Sequence, residues 1–359
     1  MRATPAWLRV AAGLGAFAVV AFIGLALVGS RDPQAALDGF GLVMVAAIPA
    51  GVAIYALVEY RQTGRLDSIT RQFGTRTLVL MPVAIALDIV LGSAVASALK
   101  IPVYLDSLGT VLVAVLAGPL AGATTGFLSN LLWTYLAPAP FASPYAAPFA
   151  VVAVVVGLLA GTFARWGWLR PRPGTSGRRL LVGGGLAVAA MALMALVALR
   201  VWLAGAEGGD LVPSAGETAF TILGWVAMLL VAGTGLGLLV LLLRQRDLAA
   251  AYILAAGVIT GVSAAFVAAP IAAGLFGGVT GSGADFVIAA LRQAGADLQQ
   301  AVLGQSLISD PVDKVVTYFL VYLILGAMAT RSKARFPQGP HLLPLTDEKV
   351  DDAPTVRED

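Results

Sequence analysis

A few polar and charged side chains interrupt long apolar stretches of this chain. Asp106, Asn130, Asp310, Asp313 and Lys314 lie within or beside such stretches. An ionisable group inside a membrane span costs about 2.5–3.5 kcal/mol on insertion scales, so these residues are candidates for ligand binding. The Asn130 amide offers donors and acceptors, which suits a ring with carbonyl and amine edges, and Lys314 suits a carbonyl or an anion. The structural alternative is that Asn130 bridges two helices and Lys314 pairs with Asp313.

Asp88 presents a separate question, because it lies near the middle of an apolar span and has no route to the membrane interface. Its carboxyl group is either neutral and hydrogen-bonded to a neighbouring helix, or a functional carboxylate. The sequence leaves both interpretations open.

Several chemistries are excluded by the residues that the chain lacks. It has no cysteine, and its one histidine, His341, lies in a polar tail. Thiolate metal sites and a Ser-His-Asp triad within the membrane are therefore excluded. No lysine follows a glycine, so the Walker A pattern of nucleotide hydrolases is absent. We predict no catalytic residue, no metal and no cofactor, and an enzyme is disfavoured.

The elements that must position these residues are membrane helices. Of the 359 residues 59% are hydrophobic and 12% charged, about half the charged fraction of soluble domains. Apolar stretches long enough to span a bilayer lie at about 8–29, 40–60, 77–99, 145–165, 180–204, 219–243, 249–275 and 311–330. Gly118 and Pro119 divide a further apolar stretch into helices at 105–117 and 120–137. We expect an all-α polytopic membrane protein with about ten transmembrane helices.

The basic residues predict the orientation of these helices. With the N-terminus inside, inner segments carry 16 arginines and lysines, and outer loops carry only Arg31, Lys100 and Arg292. This asymmetry indicates a multi-pass protein of the plasma membrane with both termini in the cytoplasm. The basic net charge therefore reflects the lipid bilayer, and no nucleic-acid partner is predicted.

The chain divides into four predicted regions. Residues 1–60 form a transmembrane hairpin, 61–76 a cytoplasmic linker, 77–330 the main bundle, and 331–359 a disordered cytoplasmic tail. In the bundle, the outer segment 276–310 opens with glycines and continues with apolar residues at helical spacing. It is either a helix resting on the membrane surface or a lid over an outward-facing site.

Two groups of motifs carry a family resemblance. The first runs from Ile101-Pro-Val-Tyr-Leu-Asp-Ser-Leu-Gly-Thr through Gly118-Pro-Leu-Ala-Gly to Ser129-Asn130-Leu-Leu-Trp133. The second is Gly277-Gly-Val-Thr-Gly-Ser-Gly followed by Ser309-Asp310-Pro-Val-Asp313-Lys314. In this order and spacing they resemble the substrate-binding S component of energy-coupling factor (ECF) vitamin transporters, over about 78–166 and 250–330.

The resemblance implies a six-helix core that holds a vitamin or cofactor precursor near the outer face. The helices 1–60 and the pair at 180–243 are additions to that core. A coupling membrane subunit and ATPase subunits in separate chains would drive import. The alternative is a ligand-sensing membrane protein that uses the same fold without transport.

The resemblance and the polar residues together predict one outward-facing site. A flat ring would suit Trp133, Tyr104 and Tyr145. The predicted substrate-binding residues are Tyr104, Asp106, Asn130, Trp133, Asp310, Asp313 and Lys314, and the predicted lid residues are Gly277, Gly278, Thr280, Gly281 and Gly283.

Overall fold

The computed structural model of the chain describes residues 7–28, 33–94, 104–175, 177–193, 196 and 217–344. In these residues the regular structure is helical, without a strand. Arg31 and Lys100, which the topology prediction uses, lie outside the described residues.

The helices follow one another along the whole described chain. The first group is α1 (Trp7–Val28), α2 (Pro33–Thr63), α3 (Asp67–Thr70), α4 (Thr75–Ser93), α5 (Leu108–Ala117), α6 (Pro119–Tyr135), α7 (Ala150–Arg165) and α8 (Gly177–Arg179). The apolar helix α9 (Leu180–Leu193) follows. The last group is α10 (Glu217–Leu243), α11 (Ala249–Phe276), α12 (Ala284–Gln293), α13 (Leu298–Ala327), α14 (Thr330–Lys333) and α15 (Gly339–Leu342).

Four helical segments of the described chain are long and apolar enough to cross a membrane: Val43–Thr63, Thr75–Ser93, Ala147–Arg165 and Ala249–Phe276. Large apolar side chains point outward from these and neighbouring helices, including Phe22, Leu27, Val79, Val83 and Phe266. Such exposure is unfavourable in water and favourable against lipid tails. The structure is therefore compatible with a multi-pass membrane protein, and the number of ten membrane helices stays a prediction.

Helix α5 lies at the centre of the bundle, with all of its residues buried. It packs against α4, α6, α7 and α13, and α11 packs along α13. The additional helix α10 lies on α11 and α13, where Leu238 is fully buried and Gly237 faces the Phe319 ring. Helices α1 and α2 form a pair, joined by Arg9 and the buried carboxylate of Glu59, 3.2 Å apart.

The predicted break between α5 and α6 is confirmed at Gly118 and Pro119. Gly118 has φ 132°, a conformation that a side chain would strain, and Pro119 occupies the first turn of α6. The new helix start leaves backbone N–H groups without helical partners. The Gln72 side-chain oxygen accepts from the Leu120 N–H at 2.8 Å, which satisfies one of them.

The last long helix begins much earlier than the sequence predicts. The sequence predicts a span from residue 311, whereas α13 begins at Leu298 and continues through Pro311. Asp297 and Gln300 form a reciprocal capping box that satisfies the first N–H groups of α13. The outer segment is also not one helix, because the chain turns at Gly295, with φ 97°, between α12 and α13.

The beginning of the predicted disordered tail is ordered. Residues 331–344 include α14 and α15, and Leu342 is buried. The Gln338 N–H donates to the Leu116 carbonyl at 2.9 Å, and its Nε2 donates to the Gly161 carbonyl at 3.1 Å. Residues 331–344, predicted as part of the disordered tail, thus contact the ends of α5 and α7, where backbone carbonyls lack helical partners. Residues 345–359 lie outside the described residues.

Candidate ligand-binding site

A partly open cavity lies among α5, α6, α7, α11, α12 and α13. It contains about 1010 Å³ of empty space, part of it open to solvent. Its walls include apolar residues of α7 and α11 such as Val152, Ala153, Ala264 and Ala268. The cavity lies at the end of the bundle where α6 ends and α12 begins, opposite the arginine-rich segments 61–76 and 165–179.

Three separate segments bring the predicted residues to this cavity. The loop before α5, the second half of α6 and the middle of α13 each contribute two side chains. Six of the seven predicted substrate-binding residues line it: Tyr104, Asp106, Asn130, Trp133, Asp310 and Lys314. The seventh, Asp313, is fully buried beside the cavity and does not line it.

Asp313 positions the loop before α5. Its Oδ1 accepts from the backbone N–H groups of Tyr104, at 2.9 Å, and Leu105, at 2.8 Å. Leu105 has φ 51°, a costly conformation for a branched side chain, and these bonds hold it. Asp313, which does not itself line the cavity, therefore holds the loop that carries Tyr104 and Asp106 to the cavity.

Lys314 directs its ammonium group at protein acceptors. Its Nζ lies 2.6 Å from the Asp313 Oδ2, 2.8 Å from the Ser107 Oγ and 3.6 Å from the Asp106 Oδ1. Its N–H groups donate to Asp313 and Ser107, and the Asp106 carboxylate lies at ion-pair distance from the ammonium. The geometry favours the structural interpretation of Lys314, as a buried cation that holds the start of α5 against α13, over a receptor for an anion.

Asp310 differs from Lys314 because its charged group has no protein partner among the described residues. Its side chain is 8% exposed and lines the cavity. Among the described residues, no group forms a hydrogen bond or an ion pair with its carboxylate, and the Lys314 ammonium is too distant for an ion pair. A buried carboxylate without a partner is unfavourable. The two carboxylate oxygens of Asp310 are therefore available to accept hydrogen bonds from a group inside the cavity.

Aromatic side chains form another part of the lining. The Trp133 Nε1 donates to the Phe141 carbonyl at 2.7 Å, which fixes the indole. Tyr145 and Phe149 line the cavity and pack on Phe276, with ring centroids 5.3 and 5.8 Å apart. Burial and the nearby Asp310 carboxylate raise the pKa of the Tyr104 hydroxyl, which therefore stays protonated and able to donate.

Asn130 uses part of its amide on its own helix. Its Nδ2 donates to the Gly126 carbonyl at 3.0 Å, one turn earlier in α6. The amide lines the cavity and does not bridge two helices through this bond.

The glycine-rich segment predicted as a lid forms a tight turn beside the cavity. Gly277, Gly278 and Gly281 all have positive φ values. Asp285, in the first turn of α12, accepts from the N–H groups of Thr280 at 3.0 Å and of Gly281 at 2.8 Å. Thr280 lines the cavity, as do Ser282, Ala284 and Ile288 after it, whereas the four predicted glycines, Gly283 included, do not.

Sequence reasoning missed Gln305 and Ser306, which line the cavity from α13. Residues 306, 310 and 314 recur at a spacing of four, which places them on one helical face. That signal was present in the sequence. The predicted outer segment 276–310 places these residues outside the last helix, so the shared helical face does not emerge from that prediction.

Asp88 caps a helix inside the bundle. Its Oδ1 accepts from the Gly109 N–H at 2.6 Å. Its Oδ2 accepts from the Thr110 N–H at 3.1 Å and from the Thr110 hydroxyl at 2.7 Å. The Ser129 hydroxyl, at 3.1 Å, also donates to this Oδ2. The first N–H groups of α5 need such an acceptor because water does not reach them. Asp88 is fully buried and does not line the cavity.

We therefore expect Asp88→Asn to keep the fold and the cavity at a cost of about 1–2 kcal/mol in the free energy of unfolding, since one donor near Thr110 loses its acceptor. Asp88→Ala should cost more because it removes every bond. Thermal unfolding in detergent measures both, with exposed Asp67→Asn as the control. Loss of ligand by Asp88→Asn at unchanged stability would instead indicate a functional carboxylate.

Comparison of the chain with family models, with curated proteins and with solved structures finds no match.

Proposed function

We propose that this chain is the substrate-binding membrane subunit of an ECF-type ATP-driven importer. It captures a vitamin or cofactor precursor with a flat ring at the outer face of the plasma membrane, and it is not an enzyme. A coupling membrane subunit and ATPase subunits in separate chains supply the energy. The observation that carries the proposal is the convergence of six predicted residues from three distant segments on one cavity.

The composition of the cavity supports capture of a small organic molecule. Ligand sites are mostly apolar clefts in which a few polar groups fix the orientation of the ligand. Here alanine and valine walls surround Asn130 and Asp310, and Trp133 offers a ring for stacking. The arginine-rich segments at the opposite end support an outward-facing cavity and cytoplasmic termini.

Ligand sensing without transport is the second candidate, and the contacts of α5 favour it. The loop before α5 carries Asp106 and Ser107 to the cavity, whereas the Leu116 carbonyl near the other end of α5 accepts from the Gln338 N–H. One buried helix thus connects the cavity with the C-terminal segment, which a sensor requires.

The test is the ligand that co-purifies with the chain in mild detergent, identified by mass spectrometry. Asn130→Ala should weaken its binding by about 1–3 kcal/mol, because the ligand loses a buried hydrogen-bond partner. Thr125→Ala is the matched control, since Thr125 makes the same kind of bond to its own helix, to the Ala121 carbonyl, and does not line the cavity. Calorimetry with the identified molecule measures both variants.

Equal binding by wild type and Asn130→Ala would place the site elsewhere. Uptake of the same molecule by cells with and without the coupling and ATPase subunits separates the two candidates. Import requires those subunits, whereas a sensor binds its ligand and transports nothing in either case.

A further inference from the structure

The charges around the cavity do not balance. Four ionisable groups lie together, namely the carboxylates of Asp106, Asp310 and Asp313 and the ammonium group of Lys314. Lys314 forms its closest ion pair with Asp313, behind the cavity wall, at 2.6 Å. With these groups ionised, the described lining keeps an excess of negative charge on Asp106 and Asp310.

The Lys314 ammonium donates to Asp313 and Ser107 and forms a further ion pair with Asp106, so protein groups already compensate its positive charge. The carboxylates of Asp310 and Asp106 are compensated less fully by protein groups. Asp310 is buried without a partner among the described residues, and Asp106 is about a third exposed and 3.6 Å from Lys314. A ligand that brings a positive charge would offset the unfavourable burial of Asp310.

The aromatic lining fits the same charge. Tyr104, Trp133, Tyr145 and Phe149 all line the cavity, and aromatic faces attract cations at distances of about 6 Å or less. A bare metal ion fits less well. The described part of the chain has no group of three or more acidic or histidine side chains placed to hold a metal, and the walls are largely apolar.

We infer that the cavity selects an organic cation, a molecule that joins a flat ring to a positively charged nitrogen, with Asp310 as the group that recognises the charge. This inference rests on the proposed function and adds the substrate class. It also explains why α13 places a carboxylate without a partner in a buried position.

Three rings of nearly equal shape test the inference with the purified chain in detergent. They are 1-methylnicotinamide, a cation, nicotinamide, which is neutral, and nicotinate, an anion. Calorimetric titration to millimolar concentration reaches the affinity of ring-sized fragments. We expect the cation to bind at least about tenfold more tightly than the neutral ring, as one favourable charge contact predicts, and the anion to bind weakest.

Asp310→Asn should lower the affinity for 1-methylnicotinamide by at least about tenfold and so abolish the preference for the cation over nicotinamide. The same variant should raise the melting temperature of the ligand-free protein, because an uncompensated buried charge is removed. Asp67→Asn is the matched control, since it removes one exposed carboxylate from α3 and should change neither property.

Equal binding of the cation and the neutral ring, a preference for nicotinate, or an equal effect of Asp310→Asn on all three rings would overturn the inference. In those cases binding itself still supports the proposed function. Absence of binding by all three rings would contradict both the cation preference and small-molecule capture in this cavity.

Discussion

Lys314→Met is expected to lower the free energy of unfolding by about 3–5 kcal/mol, the range measured when one partner of a buried ion pair is removed. Lys314 is 5% exposed and lies between Asp313, at 2.6 Å, and Ser107, at 2.8 Å. Methionine fills a similar volume but leaves the fully buried Asp313 carboxylate without its counter-charge.

The double variant Lys314→Met with Asp313→Asn should recover a large part of this loss. The asparagine oxygen can still accept from the backbone N–H groups of Tyr104 and Leu105, and no buried charge is left uncompensated. Unfolding in detergent, followed by tryptophan fluorescence, compares the wild type with both variants. A single variant as stable as the wild type, or a double variant less stable than the single one, would contradict the ion-pair role of Lys314.

Gly261→Leu should lower the free energy of unfolding by about 3 kcal/mol or more, since overpacking that requires backbone shifts is costly. A Cβ atom at Gly261 would collide with the backbone of Pro311 in α13. One turn earlier, a Cβ atom at Gly257 would lie 2.5 Å from the Cα of Val315. The two glycines thus allow the backbones of α11 and α13 to approach closely, as small residues do between membrane helices.

The control for this prediction lies on the same helix. Gly274 has no neighbouring atom within 4 Å of an added Cβ, so Gly274→Leu should leave the stability nearly unchanged. Size-exclusion profiles and melting temperatures of the detergent-solubilised variants measure the difference. Equal stability of the two variants would show that α11 and α13 do not pack as closely as the structure has them.

The glycine pair also matters for the candidate site. Asp310 and Lys314 lie on the stretch of α13 that packs against α11, beside Pro311 and Val315. A shift of α13 away from α11 would therefore move both charged groups relative to the cavity. Ligand binding by Gly261→Leu should fall together with its stability.

Much of the architecture could be predicted from the sequence because the underlying signals are local. Apolar length and low charge indicate membrane helices, and the described residues are helical without a strand. Gly118 and Pro119 predicted the break between α5 and α6, since glycine reaches positive φ without strain and proline suits a first helical turn. Six of the seven predicted substrate-binding residues lie around one cavity.

The start of α13 shows where local signals conflict. Pro311 suggests a helix start, but a proline inside a helix removes only one N–H donor and is tolerated when the surroundings accommodate it. The Asp297–Gln300 capping box, which lies well before Pro311, is the signal that marks the observed start. A helix that begins at this capping box carries Gln305 and Ser306 to the cavity.

The sequence by itself determined which residues carry charge inside an apolar chain, and therefore that Asp88, Asp310, Asp313 and Lys314 need partners or a function. Only the tertiary structure decided which applies to each. Asp88 caps α5, Asp313 holds the loop before α5 and pairs with Lys314, and Asp310 faces the cavity without a partner among the described residues. The reason is physical: the cost of a buried charge depends on groups from other helices within a few ångströms, and those distances exist only once the helices have packed.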